Sequence, residues 1–368
     1  MIEFESLASG SESKSERKTF SSIWIKVLGV GGGAGNILSR LSHLNTGESE
    51  FLLVNSNGKE LNSCKIKKKI QVGQKITGGW GTGGDPEMGR KIILAERDKI
   101  RELLARTDVL FLVSSLGKGM GTGGTPVIAE VAREIGCLVI GFFTLPFRFE
   151  GNRRMKQARE GLTKLKRTVD AFMVVPNDLL LNARGKEVLS LKEDLQKIDE
   201  VLKAAIIGFR NILFNPGLIN VDFADFKAFL QQGSPIQIST GKGKGEKAAQ
   251  EAVSQALNSP LGGKINLQGA EKILMAIKGG SQLSLSQVEK TVLLIKESIS
   301  AAADITFGVY LDEKLSDELF LTLMMMGQDI TWQSSEDKDK ESYQEEMDFS
   351  IYDRDNLDIP TFLRKRNN

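Results

Sequence analysis

Three glycine-rich stretches hold the residues of this sequence whose types and spacing could do chemistry. They lie at residues 29–35, 78–84 and 117–124, and we number them first to third in chain order. Without Cβ atoms, a backbone can bring its N–H groups against an anion, and a following helix adds the favourable field of its N-terminal end. The pattern therefore predicts phosphate binding. One such stretch is an ordinary turn in many proteins, whereas three favour a shared polyphosphate site.

The elements that must position these stretches alternate between strand and helix. The first stretch follows a strand-like run at 22–28, and the third follows another at 109–113. Alternation over the first 180 residues predicts a mostly parallel α/β sheet covered on both faces, whose strands all end at one edge. The other runs that support this pattern are strand-like runs at 51–54, 138–143 and 172–175, and a helical segment at 126–135.

A long amphipathic helix follows the predicted parallel sheet. Apolar residues recur at helical spacing from Leu195 to Leu213, and Pro216 with Gly217 ends the pattern. A second αβ region lies beyond it. Its predicted elements are helices near 246–258, 268–277 and 285–300, and strands at 235–239, 305–310 and 319–324.

Composition excludes several classes of function. The chain has 368 residues with 40% hydrophobic content, which is enough for two domains. Its 49 basic and 47 acidic residues leave a net charge of +2, so no overall field favours nucleic acid. No long apolar run or signal peptide is present, which predicts a cytoplasmic chain without direct membrane insertion. Cys64 and Cys137 are too few for a disulfide framework or a zinc site, and His43, the only histidine, argues against a mechanism built on imidazole.

The first stretch also fits a dinucleotide-binding turn. A site of that kind needs a carboxylate at the end of the second strand to hold the ribose, but this strand ends in Asn55, Ser56 and Asn57. A P-loop motif, G-x-x-x-x-G-K-[ST], is absent from the sequence. The interpretation as an NAD-dependent oxidoreductase is therefore supported only by residues 29–34.

The third stretch resembles the G-G-G-T-G-T-G signature of the tubulin/FtsZ family. The first two stretches, together with residues 144–154 and 175–178, are similar to further loops of that family, and the resemblance covers 24–327 and the last dozen residues. It implies a Rossmann-like parallel-sheet domain that binds GTP or GDP, a long central helix and a smaller α/β C-terminal domain. The implied boundaries are a disordered tail at 1–21, the GTP-binding domain at 22–190, the central helix at 191–214, the C-terminal domain at 215–330, an acidic linker at 331–355 and a partner-binding peptide at 356–368.

The same resemblance assigns roles to individual residues. Glu150 and Arg154 fall at the ribose, and Asp199 falls where a carboxylate accepts the guanine N1–H and N2–H₂, which explains a preference for GTP over ATP. The implied nucleotide-binding set is Gly31, Gly32, Gly33, Gly35, Asn36, Asn55, Thr82, Gly83, Gly117, Lys118, Gly119, Met120, Gly121, Thr122, Gly123, Glu150, Arg154, Asn177 and Asp199.

Residues 217–225 match the family pattern G-x-x-N-x-D-x-x-D at every fixed position. In the family this loop enters the nucleotide pocket of the next subunit, which implies that Asn220, Asp222 and Asp225 are the catalytic set. Head-to-tail filaments and hydrolysis that depends on assembly follow from that placement. From the residues alone, two carboxylates three positions apart at a helix start would only cap that helix.

Four departures from the family pattern lie at the nucleotide. Lys118 replaces a glycine, Met120 replaces a threonine, Asn57 stands where an aspartate lies near the metal, and Leu195 stands where an aromatic ring stacks on guanine. The implied cations are Mg²⁺ and K⁺. We hypothesise that Lys118 replaces part of the metal charge, so that dependence on Mg²⁺ is weakened. The departures also leave open a non-catalytic scaffold filament, against which the intact Asn220 loop argues.

The C-terminal residues 358–366 resemble the tail peptide by which the family docks onto membrane-anchoring division proteins. Ile359, Phe362 and Leu363 form a short apolar set, followed by basic residues from Arg364 to Arg366. Such a segment can bind as a helix in a partner's groove, and its basic residues could alternatively touch anionic lipid. The resemblance thus implies a cytoplasmic protein at the division site beneath the inner membrane.

Overall fold

The protein is described here from a computed structural model. The described residues are 23–41, 49–182, 191–214, 217–230, 233–258, 263–265, 267, 269–299, 302–313, 315–327 and 332–334. The predicted tail at 1–21, most of the predicted linker and the peptide at 356–368 lie outside these residues.

Ten of the strands form one continuous sheet, in the order β10-β9-β11-β7-β6-β5-β4-β1-β2-β3. Every pairing from β3 to β7 is parallel, which confirms the predicted parallel sheet, while β11 runs antiparallel to both β7 and β9. Strands β8 and β12 form a separate pair. The strands are β1 (Ile25–Val30), β2 (Glu50–Asn55), β3 (Lys68–Gln71), β4 (Val109–Ser115), β5 (Leu138–Leu145), β6 (Ala171–Pro176), β7 (Ser234–Lys244), β8 (Gly263–Ile265), β9 (Lys272–Gly279), β10 (Asp304–Leu311), β11 (Glu318–Met326) and β12 (Trp332–Ser334).

Helices cover both faces of this sheet. A π-helical turn at Met120–Gly124 precedes α6, and short 3₁₀ turns lie at Arg148–Glu150 and Gly245–Lys247. The helices are α1 (Gly31–Leu41), α2 (Gly58–Ser63), α3 (Gln74–Thr77), α4 (Pro86–Ala95), α5 (Arg97–Leu103), α6 (Thr125–Glu134), α7 (Asn152–Leu165), α8 (Leu179–Asn182), α9 (Leu191–Phe214), α10 (Phe223–Phe229), α11 (Ala248–Leu257) and α12 (Leu285–Glu297).

The central strands are largely apolar because both of their faces are buried. In β4, Phe111 packs into the apolar cluster on the α9 side of the sheet, whereas Leu110 and Leu112 pack into the cluster on the α6 side. All three side chains are at most 1% exposed. A run without polar alternation is what a parallel sheet covered on both faces requires.

Helix α9 contains the predicted apolar run from Leu195 to Leu213 and connects the two halves of the sheet. Its Phe209 ring packs edge-on against Phe111 of β4, at a centroid distance of 4.9 Å, and against Phe226 of α10, at 5.0 Å. Edge-to-face packing of buried rings at this distance is favourable. The helix therefore fixes the position of α10, and of the loop before it, relative to the parallel strands.

The predicted helix at 268–277 is wrong, because most of this segment is strand β9. The strand lies between β10 and β11 in the sheet. Leu274 packs on the α9 side, while Ile273 and Met275 pack on the opposite side with α11 and α12. Leucine, methionine and alanine favour helices, but burial on both faces decides the structure of such a short apolar run.

Three residues of the predicted linker lie in a described strand. Trp332–Ser334 form β12 and pair antiparallel with Gly263–Ile265. Within the described ranges, we find no helix with both the length and the apolar character needed to span a bilayer.

Candidate active site

A cleft of about 430 Å³ opens at the carboxyl ends of the parallel strands. The three glycine stretches meet there, and the first turns of α9 close one side. This is the edge at which open α/β sheets bind their ligands. The arrangement suits an elongated anion that runs along the glycine backbones and ends against α9.

Glycine is required where the second and third stretches touch. A Cβ on Gly119 would lie 2.6 Å from the carbonyl oxygen of Asp85, and a Cβ on Gly123 would lie 2.6 Å from the carbonyl carbon of Pro86. Real Cβ atoms do not approach other atoms so closely. At the start of α1, Gly31 has φ of +82°, a conformation that other residues rarely adopt.

Most of the predicted nucleotide-binding residues line this cleft. Those that do so are Gly31, Gly32, Gly33, Asn36, Asn55, Thr82, Gly83, Lys118, Gly119, Met120, Gly121, Glu150, Arg154 and Asn177. The predicted residues outside the lining are Gly35, Gly117, Thr122, Gly123 and Asp199.

The predicted residues outside the lining support the cleft from behind. Gly117 donates its N–H to the Thr122 hydroxyl over 2.9 Å in the buried base of the third stretch. Gly35 faces Leu53 and Cys64, while Gly123 holds the third stretch against the start of α4. Their roles are structural in this conformation, because none of them reaches the cleft surface.

Asp199 lies in an ion pair with Arg40, and Arg40 itself lines the cleft. Arg40 donates from Nη2 to one carboxylate oxygen over 2.9 Å and from Nε to the other. Burial raises the pKa of Asp199 above its ordinary value, and the hydrogen bonds from Arg40 oppose that rise. The carboxylate predicted to meet a guanine base is thus already paired, at the end of the cleft bounded by α9.

The side chain of Met120 is buried and offers no polar group to the cleft. It is 4% exposed and belongs to the same apolar cluster as Ile93 and Val127. Its contribution to the cleft is therefore the backbone of the π-helical turn. Lys118, two residues earlier, is exposed in the cleft and forms no ion pair with any described residue.

Asn57 organises the second glycine stretch and the turn after β2. Its side-chain oxygen accepts hydrogen bonds from the N–H groups of Lys59 and Glu60, at 3.0 and 3.2 Å, and so caps α2. Its backbone forms an isolated bridge with Trp80. Asn57 has one side-chain oxygen where an aspartate would have two, and that oxygen already accepts the two hydrogen bonds of the cap.

Glu60 is a cleft residue that the sequence did not reveal. Its carboxylate accepts a hydrogen bond from Asn55 Nδ2 over 2.9 Å and lies against Gly32, whose Cβ, if present, would be 2.7 Å from the carboxylate carbon. No sequence motif includes Glu60. It reaches the first stretch only because helix α2 turns the chain towards Gly32. Arg40, Ser56 and Ser115 also line the cleft without a sequence signal.

The remaining predicted ribose residues pair with each other. Arg154 forms an ion pair with Glu150 one helical turn earlier, and both line the cleft. Leu195 and Ile198 of α9 provide an apolar wall. Trp80 of the second stretch also lines the cleft and is 88% exposed. A nucleotide base at the α9 end of the cleft would contact the apolar wall and lie near Asp199, which is paired with Arg40.

Asn220, Asp222 and Asp225 do not line the cleft. Asp222 and Asp225 cap α10 reciprocally, with the Asp225 N–H donating to Asp222 over 2.6 Å, and all three side chains are exposed. Leu195 at the cleft and the last residue of α9 are nineteen positions apart. At 1.5 Å per residue, the two ends of the helix are separated by about 28 Å.

The described residues contain no group of three or more His, Cys, Asp or Glu side chains that could hold a metal ion by themselves. A cation in the cleft would need ligands from a bound phosphate. Mg²⁺ is commonly held in this way, by one or two carboxylates and the phosphates of the substrate.

Two family models match the chain. Residues 24–185 match the Tubulin/FtsZ family, GTPase domain, and residues 235–329 match the FtsZ family, C-terminal domain. The two matches cover the parallel half of the sheet with its cleft, and the half formed by β7, β9, β10 and β11.

Curated relatives cover most of the chain. It is 38% identical over 303 residues to the cell division protein FtsZ of Pseudomonas aeruginosa, which is 82% of this chain and 77% of the relative. The FtsZ of Coxiella burnetii is also 38% identical, over 82% of this chain and 78% of the relative. A structure of M. jannaschii FtsZ as an empty dimer superposes with a TM-score of 0.71 at 35% identity, covering 83% of this chain and 89% of that one. The chain is thus a GTPase of the tubulin/FtsZ family.

Proposed function

We propose that this chain hydrolyses GTP at the interface between copies of itself, in a head-to-tail filament that serves cell division. The observation that carries the proposal is the separation of two half-sites along α9. The cleft lies at the start of the helix and the Asn220 loop follows its end, about 28 Å away. A single chain cannot bring the two together, whereas a second copy can.

In this proposal GTP lies with its phosphates on the glycine stretches. Backbone N–H groups of the first and third stretches donate to the phosphate oxygens, and Lys118 adds a cation that has no ion-pair partner among the described residues. Glu150 and Arg154 hold the ribose. Asp199 accepts the two guanine donors, which requires that the base share or displace Arg40.

The Asn220 loop of the next subunit completes the site. Asp222 and Asp225 are exposed and held in place by reciprocal capping of α10. Two carboxylates at the γ-phosphate can orient a water molecule and accept its proton as it attacks phosphorus and the bond to the β-phosphate breaks. Asn220 is fixed by the N–H of Gly217, which donates to its side-chain oxygen over 2.6 Å.

Exposed apolar residues at both ends support assembly. Leu218, beside Asn220, is 71% exposed, and Trp80 at the cleft is 88% exposed. Two different surfaces that join head to tail give an interface that repeats without closing. The similar M. jannaschii protein was solved as a dimer.

Mg²⁺ and K⁺ are the proposed cations. The cleft suits Mg²⁺ only together with a bound phosphate, and the metal would neutralise phosphate charge there. Lys118 supplies part of the same charge, so we expect a weaker dependence on Mg²⁺ than a cleft without this lysine would have. Equal Mg²⁺ dependence of GTP binding in wild type and Lys118→Gly would contradict this role of Lys118.

We further propose that residues 358–366 bind a membrane-anchoring division protein, so that the cytoplasmic filament lies at the division site beneath the inner membrane. This peptide lies outside the described residues, and its apolar and basic sequence is the support. Loss of binding to the anchoring protein on deletion of 358–366, with filaments retained, is the expected result.

The altered third stretch is the observation behind the alternative of a non-catalytic scaffold filament. Met120 offers no hydroxyl to the phosphates, and Lys118 replaces a small residue. Membership of the GTPase family and similarity to the FtsZ relatives do not favour this alternative.

The test is the rate of GTP hydrolysis as a function of protein concentration, with Mg²⁺ and K⁺ present. We expect a threshold concentration followed by a steep rise, because active sites form only between subunits. A rate strictly proportional to concentration from the lowest value would mean that each monomer holds a whole site. No hydrolysis at any concentration would favour the scaffold filament.

A further inference from the structure

Glu60 is an unpaired carboxylate in the region where the phosphates of a nucleotide would lie. It lines the cleft, lies against Gly32 of the first stretch and forms no ion pair with any described residue. The other carboxylate in the lining, Glu150, is neutralised by Arg154. Glu60 is therefore the one lining carboxylate whose charge the described part of the protein does not balance.

An unbalanced anion at this position opposes the binding of a polyphosphate. Like charges a few ångströms apart repel, and the backbone N–H groups of the glycine stretches contribute only partial charges. A divalent cation between the carboxylate and the phosphates converts this repulsion into attraction for both groups. The position of Glu60 thus suits a nucleotide that binds together with a metal ion.

We propose that Glu60 is the protein ligand of the divalent cation that accompanies the nucleotide phosphates, in place of a carboxylate that Asn57 does not supply. The proposal rests on the proposed function, in which the cleft binds GTP. Mg²⁺ bound with a nucleotide takes one or two carboxylates plus phosphate oxygens and water, so a single carboxylate is sufficient.

Neighbouring groups hold Glu60 ready for this role. Asn55 Nδ2 donates to one of its two carboxylate oxygens over 2.9 Å, which fixes the orientation of the group and leaves the other oxygen available. The Ser56 hydroxyl, also in a cleft-lining residue, is fully buried and has no hydrogen-bond partner in the described ranges. Such an orphaned polar group is expected to find its partner in a ligand or its hydration shell.

Asn57 cannot take the role itself. An amide oxygen can ligate a cation, but Asn57 uses this oxygen to cap α2 through the N–H groups of Lys59 and Glu60. The same cap places the first turn of α2, and therefore Glu60, over the first stretch. The carboxylate that the sequence lacks at position 57 is thus replaced by one three residues later.

Lys118 and Glu60 have separate effects in this account. Lys118 determines how much nucleotide affinity remains without metal, since its charge is present in either condition. Glu60 determines how much affinity the metal adds. Lys118→Gly should therefore lower the affinity without metal and increase the gain that Mg²⁺ adds, whereas Glu60→Gln should decrease that gain.

The experiment measures the affinity of the full chain for a non-hydrolysable GTP analogue, with Mg²⁺ and with EDTA, in wild type, Glu60→Gln and Glu102→Gln. Glutamine keeps the size of Glu60 and an oxygen for Asn55. Glu102 is an exposed carboxylate outside the cleft lining and serves as the matched control. Binding of Mn²⁺ to the nucleotide complex, followed by electron paramagnetic resonance, gives a second readout that does not depend on activity.

We expect Glu60→Gln to lose the gain in affinity that Mg²⁺ gives wild type, while its affinity in EDTA is equal or higher. Its Mn²⁺ affinity should fall by at least the roughly 10-fold that loss of even an outer-shell partner costs. An unchanged metal gain in Glu60→Gln would overturn the role of Glu60 but leave the proposed function intact. An equal rise in affinity with and without metal would also overturn it, since Glu60 would then only repel phosphate. Failure of wild type to bind the analogue in either condition would overturn the proposed function itself.

Discussion

Arg40 on α1 and Asp199 on α9 form a two-point ion pair at the end of the cleft. Both carboxylate oxygens accept from the guanidinium, and the side chains are 25% and 7% exposed. The pair joins the helix that follows the first glycine stretch to the central helix. It therefore links the position of the predicted phosphate-binding backbone to that of the predicted base-binding end.

Removal of Arg40 alone should destabilise the protein more than removal of both partners. Arg40→Ala leaves a buried carboxylate unpaired, which costs about 3 kcal/mol, whereas Arg40→Ala with Asp199→Asn leaves no buried charge. Urea unfolding of the two single variants and the double variant measures the coupling. Arg101→Ala, which breaks an exposed ion pair with Glu134, is the matched control and should cost under about 1 kcal/mol. A double variant no more stable than Arg40→Ala would contradict this prediction, and a loss equal to the sum of the two single losses would show that the pair carries no net coupling.

Asp199→Asn should lower affinity for GTP without lowering affinity for ATP. An amide cannot accept two hydrogen bonds from guanine as a carboxylate does, and the loss of charge-assisted bonds amounts to about 1.5–3 kcal/mol. Competition of GTP and ATP against a fluorescent nucleotide, with Trp80 emission as a second signal, measures the change. If both nucleotides lose affinity equally, Asp199 acts through the fold and not through the base.

Gly119→Ala should abolish nucleotide binding while the protein still folds. The new methyl group would lie 2.6 Å from the Asp85 carbonyl oxygen, so the second and third stretches must move apart at a cost of about 1–3 kcal/mol. Gly58→Ala is the control, because its methyl group would meet only the flexible Gln71 amide, at 3.0 Å. Calorimetric titration with a GTP analogue and thermal unfolding test both variants. Normal nucleotide affinity in Gly119→Ala would mean that this contact is not needed for the site.

Cys137 should make the protein less stable at alkaline pH. Burial and, to a lesser degree, the neighbouring Asp108 raise the pKa of the thiol from 9.0 to about 11, so the folded state favours the neutral form. Its contribution is complete below pH 9 and is lost as the pH rises towards 11, which amounts to about 2 kcal/mol. The free energy of unfolding of wild type minus that of Cys137→Ala, measured from pH 8 to pH 10.5, should decrease. A constant difference would contradict the raised pKa.

Local sequence signals were sufficient to predict the parallel half of the fold. In β4 and β5, uninterrupted apolar runs bounded by glycine and polar residues indicate buried strands, and the run from Leu195 to Leu213 has the spacing of a helix with a broad apolar face. The same signals failed for β9. Its run from Ile273 to Ile277 is too short to show a period, and only its place between two strands makes it extended.

The missed features of the cleft depend on contacts between distant or turned segments. Arg40 and Asp199 are 159 residues apart, and no local pattern pairs them. Glu60 lies in a short helix whose direction is set by the Asn57 cap. The contact between Glu60 and the first stretch depends on this direction, and no sequence pattern indicates it. Motif reasoning finds residues whose type is required by a known pattern. It does not find a carboxylate, such as Glu60, that reaches the same part of the cleft from a different position in the sequence.

The central claim is that one chain supplies the cleft and another supplies the Asn220 loop. It is tested most directly by mixing Gly119→Ala, which has an intact loop, with Asp222→Asn, which has an intact cleft and keeps a good helix cap. We expect each variant alone to hydrolyse almost no GTP, and the mixture to regain hydrolysis well above the sum of the two. A mixture no more active than that sum, with both variants folded and assembling with wild type, would contradict a shared active site.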